Sequence, residues 1–187
     1  MEGRIVIVTG APATGKSTVC ALMAKHSSLP RSIHLHTDDL YRSLSKGAIP
    51  PYLPEADKQN RTVIEAFLEA AKRFARDGYD VLVDGVVGPW FLEAWIEAAE
   101  QRYTVHYLVL RASKETTLQR ALGRDKLDEA TNRKLVETMW KQFSNLGCFE
   151  RYVISTDNRT TAETVAILQE KLENQSNLLL PLPDQKI

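Results

Sequence analysis

Residues 4–18 read RIVIVTGAPATGKST, and this stretch decides the fold. Residues 5–8 form a continuous apolar run rich in β-branched side chains, which predicts a strand buried on both faces, as in a parallel sheet. A loop with glycines at positions 10 and 15 follows at once, and Lys16 and Ser17 come directly after it. The spacing matches G-x-x-x-x-G-K-[ST] at every fixed position, so it predicts a strand, a phosphate-binding loop and a helix in that order.

The residue types of this loop are those that phosphate binding requires. Glycines allow successive backbone N–H groups to turn towards an anion, and a helix that starts near Lys16 directs its positive end to the same place. We expect Lys16 to contact the β- and γ-phosphates and the Ser17 hydroxyl to ligate Mg²⁺. The predicted ligand is therefore a nucleoside triphosphate with magnesium, held by Gly10, Ala13, Thr14, Gly15, Lys16, Ser17 and Thr18.

Composition limits the classes of protein to consider. The chain has 187 residues, 43% hydrophobic and 26% charged, which is ordinary for one soluble globular domain. Its 24 basic and 24 acidic residues cancel, which disfavours nucleic acid and anionic lipid as partners. The two cysteines, Cys20 and Cys148, make neither a disulfide framework nor a metal-ligand spacing. Since residues 5–8 are too short for a signal peptide and no run has the length of a membrane span, we expect a cytoplasmic protein without a membrane partner.

Strand and helix patterns alternate along the rest of the chain. The later strands are predicted at 32–36, 81–83, 105–110 and 152–154. Helices are predicted after the glycine loop, after a cap at Ser113, and at 38–44, 64–77, 89–99, 135–143 and 160–172. This alternation predicts a single α/β domain over residues 1–173, with a largely parallel sheet and helices on both faces. Residues 174–187 are predicted to be a loosely attached extension.

An acid pair, Asp38 and Asp39, stands where the second strand ends and a helix begins. Ligands of parallel α/β sheets bind at the carboxyl ends of the strands, so a carboxylate there can lie near the γ-phosphate. It could hold magnesium through water and accept a proton from an incoming hydroxyl group. The alternative is that it caps the helix, because aspartate is favoured at helix starts. We predict the chemical role for Asp38, and helix initiation or substrate contact for Asp39.

The wording of these motifs resembles a known group of proteins. "GAPATGKST", followed some twenty residues later by "TDDLYRSL", resembles the small P-loop kinases, the group that contains shikimate, gluconate, adenylyl-sulfate and chloramphenicol kinases. "DDLYRS" is also similar to the 5′-kinase domain of polynucleotide kinases, in which the first aspartate is the general base. The resemblance covers residues 4–172 and, with "DGVVGPWF", is strongest to uncharacterised bacterial members. It implies a P-loop NTPase fold with five parallel strands in the order 2-3-1-4-5, a lid at about residues 120–131, and ATP as the nucleotide.

Two arginines lie in the segment that the resemblance identifies as the lid. Arg120 and Arg124 are four residues apart and so share one face of a helix end. Phosphoryl transfer spreads negative charge over three oxygens, and arginines that close over them stabilise that charge. In the kinases that the chain resembles, a lid with such arginines also shields the site from water. The alternative is a solvated helix face. We predict that both arginines, together with Lys16, stabilise the transferred group, that Arg120 also contacts the nucleotide, and that Asn158 lies where related kinases hold adenine.

The acceptor side is less well defined. Asp84 ends the third strand and could serve magnesium through its water shell, accept a hydrogen bond from a substrate hydroxyl, or only shape the turn. Arg42 and Arg61 are the nearest cations that could hold an acidic group of the acceptor, although Arg61 could equally make a surface ion pair. Of the nearby aromatic residues, most are expected in the core, and Trp90 is the best candidate for a substrate contact because it follows a strand's carboxyl end.

Two histidines, His34 and His36, alternate on one face of the second strand. A third ligand at a suitable spacing would be needed for a metal site, and the sequence offers none. We therefore expect both histidines to fill or edge the sheet.

Taken together, these features predict a kinase that transfers the γ-phosphate of ATP, with magnesium, to a hydroxyl group of a small molecule. Ser17 and Asp38 are the predicted magnesium ligands. A polynucleotide or nucleoside 5′-hydroxyl kinase is one alternative, and a nucleotide-binding regulatory module or slow NTPase without an acceptor is another. We expect a monomer or a homodimer.

Overall fold

The computed structural model describes residues 3–121 and 129–179, with side chains in the second range from residue 133 onwards. Five strands form one sheet in the order β2-β3-β1-β4-β5, and all four neighbouring pairs are parallel. The strands are β1 Arg4–Thr9, β2 Ser32–His36, β3 Asp80–Asp84, β4 Val105–Arg111 and β5 Val153–Ser155. This order confirms the predicted P-loop NTPase topology.

Seven helices are described around the sheet. They are α1 Lys16–Lys25, α2 Thr37–Ser43, α3 Asp57–Arg76, α4 Glu93–Glu100, α5 Lys114–Ala121, α6 Glu129–Gln142 and α7 Thr161–Glu173. A capping box at Thr160 and Glu163 starts α7, as the spacing predicts. Of the predicted lid at residues 120–131, residues 122–128 lie outside the described residues.

The first strand is the centre of the molecule. Ile5, Val6, Ile7 and Val8 are fully buried, as a continuous apolar run between two helical layers requires. Ile5 and Ile7 contribute to the core on the α3 and α4 side, whereas Val6 and Val8 contribute to the core on the α1 and α7 side. The strand is therefore held on both faces.

The register brings three strand ends together. Val8 of β1 pairs with Asp84 of β3, and Asp84 pairs in turn with His36 of β2. Because the strands are parallel, the segments that follow them leave the sheet at the same edge. The loop after β1, the helix after β2 and the turn after β3 consequently meet there.

Part of the predicted C-terminal extension is attached to the sheet. The Tyr107 N–H donates to the Asn177 carbonyl at 3.0 Å, and the Leu179 N–H donates to the Val105 carbonyl at 2.8 Å. His106 and Leu178 form an antiparallel bridge, and the Leu179 side chain is buried. Residues 177–179 thus cover the half of β4 that β5 leaves open, so the expectation of a loose attachment is wrong for these residues. The domain boundary at residue 173 stays a prediction.

Candidate active site

The loop between β1 and α1 has the backbone that phosphate binding needs. Gly10 has a φ of 142°, and a Cβ there would lie 2.1 Å from the carbonyl oxygen of Leu110 on β4. Ala13 and Gly15 also have positive φ, 64° and 93°. Backbone of this kind turns N–H groups towards one side of a loop, where they can bind an anion.

Lys16 and Thr14 are bound into this loop. The Lys16 ammonium and the Thr14 hydroxyl each donate to the carbonyl oxygen of Ala11 at 2.9 Å. Both side chains are buried, whereas Ser17 and Thr18, in the first turn of α1, are exposed. The loop thus presents one ammonium group and two accessible hydroxyl groups at the start of a helix.

Asp84 lies fully buried at the end of β3, next to β1. Burial by itself raises the pKa of its carboxyl group, but hydrogen bonding to His34 and Ser17 and the charges of His36 and Lys16 lower the pKa below its usual value. Asp84 is therefore an ionised carboxylate on the side of the loop where Ser17 lies.

The two histidines of β2 contact this carboxylate. His34 Nε2 lies 3.2 Å from Asp84 Oδ2, within hydrogen-bond distance. His36 Nδ1 lies 3.4 Å from the same oxygen, and its hydrogen bond, also 3.4 Å long, is to the backbone carbonyl oxygen of Asp84. His36 Nε2 faces the other way and lies 3.7 Å from Asp38 Oδ2. The prediction that these histidines fill or edge the sheet is therefore incomplete. The sequence analysis did not predict their contacts with Asp84 and Asp38. Their alternation was the available signal, but its meaning depends on β2 pairing with β3.

The acid pair lies in the first turn of α2. The helix starts at Thr37 and its N-cap residue is His36, without a side-chain capping hydrogen bond among the described residues. Asp38 has a half-exposed side chain, at 50%, and lies beside His36. Asp39 is more exposed and forms an ion pair with Arg42 at 3.3 Å. The structure therefore separates the pair, with Asp38 at the cluster of strand ends and Asp39 at the surface.

Tyr41 lies near Asp38 on the same helix. Burial raises the pKa of its hydroxyl group to about 12, and the negative charge of Asp38 adds to this effect. Tyr41 consequently stays a neutral hydroxyl group at physiological pH, able to donate or accept a hydrogen bond.

The other acceptor-side candidates already have protein partners. Arg61 pairs with Asp57 one turn away at 3.0 Å, and its guanidinium lies 5.9 Å from the Phe91 ring centroid. Trp90 is partly buried and packs edge-on against Phe143, the residue directly after α6, with ring centroids 5.4 Å apart. Trp90 thus packs the turn after β3 against the end of α6.

The nucleotide side carries the last group of candidates. Arg120 is exposed near the end of α5, and its charge contributes to lowering the pKa of Asp157, after the hydrogen bonds that this carboxylate accepts from the Ser113 backbone and from nearby hydroxyl groups. Asn158 follows with a φ of 55°. Arg120 therefore lies in electrostatic range of Asp157 in the turn after β5, and its contact with the nucleotide stays a prediction. Arg124 lies outside the described residues.

The loop, the parallel sheet order and the cluster of strand ends can now be compared with known proteins. A family profile described as an AAA domain matches residues 6–141. The chain belongs to this AAA domain family. Its P-loop, kinase-like fold implies that the AAA domain binds a nucleotide. A search of curated proteins found no match.

Several solved structures share the fold of this AAA domain. The APS kinase CysC of Mycobacterium tuberculosis, in complex with AMPPNP and APS, has a TM-score of 0.69 at 16% identity, over 92% of this chain and 98% of that one. A gluconokinase from Sinorhizobium meliloti 1021 has a TM-score of 0.61 at 21% identity, over 93% and 98%. The tunicamycin resistance protein of Deinococcus radiodurans has a TM-score of 0.57 at 16% identity, over 96% and 99%. At these identities the likeness concerns the fold.

Two features are absent from the described part of the chain. Among residues 3–121 and 129–179, no helix has the length and apolar character needed to cross a membrane. In the same ranges, no cluster of three or more histidine, cysteine, aspartate or glutamate residues is arranged to hold a metal ion by itself.

Proposed function

We propose that this protein is a kinase that transfers the γ-phosphoryl group of ATP, with Mg²⁺, to a hydroxyl group of a small molecule. The observation that carries the proposal is the position of Asp38. Its half-exposed carboxylate is 3.7 Å from His36, which in turn contacts the buried Asp84 beside Ser17 and Lys16. An accessible carboxylate next to the phosphate-binding loop is what an acceptor hydroxyl needs for proton transfer.

The residues at this place fit a magnesium ion. Mg²⁺ takes oxygen ligands and usually binds through one or two carboxylates, waters and substrate phosphates, so a complete protein cage is not needed. Ser17 supplies a hydroxyl and Asp38 a carboxylate, and Asp84 Oδ1 is buried without a regular hydrogen-bond partner in the described part of the chain. We therefore assign Asp84 to the magnesium side, through the ion's water shell, instead of to the acceptor. When bound, magnesium would neutralise charge on the β- and γ-phosphate oxygens.

The chain's own residues would do the rest. The loop N–H groups and the Lys16 ammonium bind and orient the phosphates, and Lys16, Arg120 and Arg124 stabilise the charge that develops on the transferred group. Asp38 orients the acceptor hydroxyl and accepts its proton as the new P–O bond forms and the bond to ADP breaks. Tyr41, held neutral beside Asp38, can hydrogen-bond the same hydroxyl group.

Asp39, Arg42, Arg61 and Trp90 remain our candidates for holding the acceptor. Both arginines have carboxylate partners, Asp39 and Asp57, in exposed ion pairs. Exposed pairs of this kind contribute little stability, so an acidic acceptor could replace the carboxylates, whereas a neutral acceptor would leave them in place. The assay therefore compares acidic acceptors with neutral ones.

The test is ADP release from the purified protein with Mg-ATP, alone and with a panel of hydroxyl compounds. The panel contains sugars, sugar acids, nucleosides, aminoglycosides, chloramphenicol and a 5′-hydroxyl oligonucleotide. Asp38→Asn is measured beside Asp77→Asn, a matched control because Asp77 is an exposed carboxylate paired with Arg73 at the end of α3. We expect one compound class to raise turnover in the parent and in Asp77→Asn, and Asp38→Asn to abolish the rise.

Other outcomes distinguish the alternatives. Stimulation by the oligonucleotide or by nucleosides would support a 5′-hydroxyl kinase. A slow background turnover that every compound leaves unchanged, and that Asp38→Asn retains, would contradict the role of Asp38 and favour a regulatory module or slow NTPase.

A further inference from the structure

The Asp84 carboxylate is held asymmetrically. Oδ2 lies 3.2 Å from His34 Nε2 and 3.4 Å from His36 Nδ1, whereas Oδ1 has no regular hydrogen bond to any described residue. The whole residue is buried, so neither oxygen can compensate with bulk water. His34 Nε2 lies within hydrogen-bond distance of a carboxylate oxygen, and an imidazole N–H is the donor in such a pair, so we assign the hydrogen to Nε2.

The contact of both histidines with Asp84 follows from the pairing of β2 with β3. β2 is an edge strand, and its residues 34 and 36 point to the same face because strand side chains alternate. His36 lies opposite Asp84 in the register, and the two imidazole rings stack at a tilt of 29° with centroids 6.4 Å apart. Their side chains are 25% and 30% exposed, so they lie between solvent and the buried carboxylate.

His36 also reaches a second carboxylate. Its Nδ1 faces Asp84 and its Nε2 faces Asp38, at 3.4 Å and 3.7 Å from the nearest carboxylate oxygens. One imidazole ring thus contacts both of the carboxylates that the proposed function assigns to magnesium binding. A rigid ring between them fixes their separation, which flexible side chains in the first turn of a helix would not do by themselves.

We propose that His34 and His36 are positioning residues, which fix the Asp84 carboxylate through Oδ2 so that Oδ1 is directed to the magnesium side. The inference rests on the proposed function for the identity of the ion. Groups that orient metal-associated carboxylates commonly affect metal affinity by 10- to 100-fold when they are removed. Apolar side chains at these positions would complete the sheet edge equally well but would remove both histidine contacts of Asp84 Oδ2.

The experiment measures binding without any acceptor. The affinity of a fluorescent, non-hydrolysable ATP analogue is determined with Mg²⁺ at increasing concentration and in EDTA, for His34→Leu and for His34→Gln, whose amide can replace the Nε2 donor. His36→Leu and His36→Asn form the second pair, because the Asn amide can replace Nδ1. His26→Ala is the control, since His26 is exposed at the end of α1.

We expect each Leu variant to need about tenfold more Mg²⁺ for the same nucleotide affinity, with the affinity in EDTA unchanged. His34→Gln and His36→Asn should recover most of the loss, and His26→Ala should match the parent. Equal magnesium dependence in the Leu, amide and parent proteins would overturn the proposal, as would a loss of affinity that is the same with magnesium and in EDTA. If a Leu variant does not fold, a Thr variant at the same position takes its place, because threonine suits an edge strand but its side chain is too short to reach Asp84 Oδ2. Parent-like magnesium dependence in that Thr variant would overturn the proposal.

Because the readout is binding, the kinase proposal can fail in the acceptor assay while this inference stands. Conversely, kinase activity together with a magnesium dependence that is unchanged in the His34 and His36 variants would support the proposed function and contradict this inference.

Discussion

Thr37 packs so closely against Gly85 that a Cβ at residue 85 would lie 2.0 Å from the threonine hydroxyl oxygen. Thr37 starts α2, directly before Asp38, and Gly85 directly follows Asp84. This contact therefore sets how closely the two proposed magnesium-side carboxylates approach each other.

Gly85→Ala should disturb both stability and activity. The added methyl group must push α2 away from β3, and overpacking of this kind typically costs about 1–3 kcal/mol. We expect a lower urea midpoint and, in protein that still folds, a larger loss of Mg-dependent nucleotide affinity than of affinity in EDTA. Urea unfolding and the nucleotide titration described above check this. An unchanged midpoint would show that the contact adjusts freely.

Lys16→Met should abolish tight nucleotide binding while the protein stays folded. The ammonium group contacts the carbonyl oxygen of Ala11 within the loop and is expected to contact phosphate oxygens, and hydrogen bonds to charged groups are worth about 1.5–3 kcal/mol each. We predict a loss of nucleotide affinity of about 10- to 100-fold, measured by calorimetry. Lys25→Met, at the exposed end of the same helix, is the control and should bind normally. Parent-like affinity in Lys16→Met would remove the loop lysine from the binding site.

We expect the free energy of unfolding to decrease as the pH falls from 6.5 to 4, because buried His106 resists protonation in the folded chain. Burial lowers the pKa of His106 from 6.5 to about 4, and the positive charge of Arg4 acts in the same direction. The unfolded chain binds this proton from about pH 6.5, but the folded chain does not until about pH 4. His106 therefore does not reduce the free energy of unfolding above pH 6.5. Below that pH it reduces the free energy of unfolding progressively, by about 3 kcal/mol at pH 4.

His106→Leu tests this assignment. Between pH 7 and pH 4.5, its free energy of unfolding in urea should fall less than that of the parent, while exposed His26→Ala should follow the parent. Asp80 and Asn177 also influence the pKa of His106, in the raising direction, so Asp80 must remain intact in the comparison. Parallel curves for parent and His106→Leu would mean that His106 titrates alike in the folded and unfolded chains.

Leu179→Ala should destabilise the whole domain. The side chain is 2% exposed and packs in the core on the α3 and α4 side. Leu→Ala in a core costs about 2–5 kcal/mol, and we expect a loss in this range. Urea unfolding measures the change, and exposed Gln175→Ala is the neighbouring control. A change below about 0.5 kcal/mol would show that residues 177–179 are held only weakly, as the sequence had predicted.

The sequence predicted local features more reliably than the relations between them. Gly10, Gly15 and Lys16 form a pattern that is complete within seven residues, so its backbone could be anticipated. The same holds for the capping box at Thr160 and Glu163. Leu179 was missed because its partner, Val105, is 74 positions away and nothing near residue 179 marks the open half of β4.

The sequence by itself therefore determined the phosphate-binding loop, the alternation of strands and helices, and the acid pair after β2, because each depends on neighbouring residues and on side-chain periodicity. Only the tertiary structure decided what His34, His36 and Asp84 do together, and it also separated Asp38 from Asp39. The physical reason is the strand order: β2 and β3 are joined by hydrogen bonds between backbones some fifty residues apart, and the register of that pairing places His36 opposite Asp84. The pairing register of the sheet decides which polar side chains on different strands become neighbours. The periodicity of a single strand gives no information about that register.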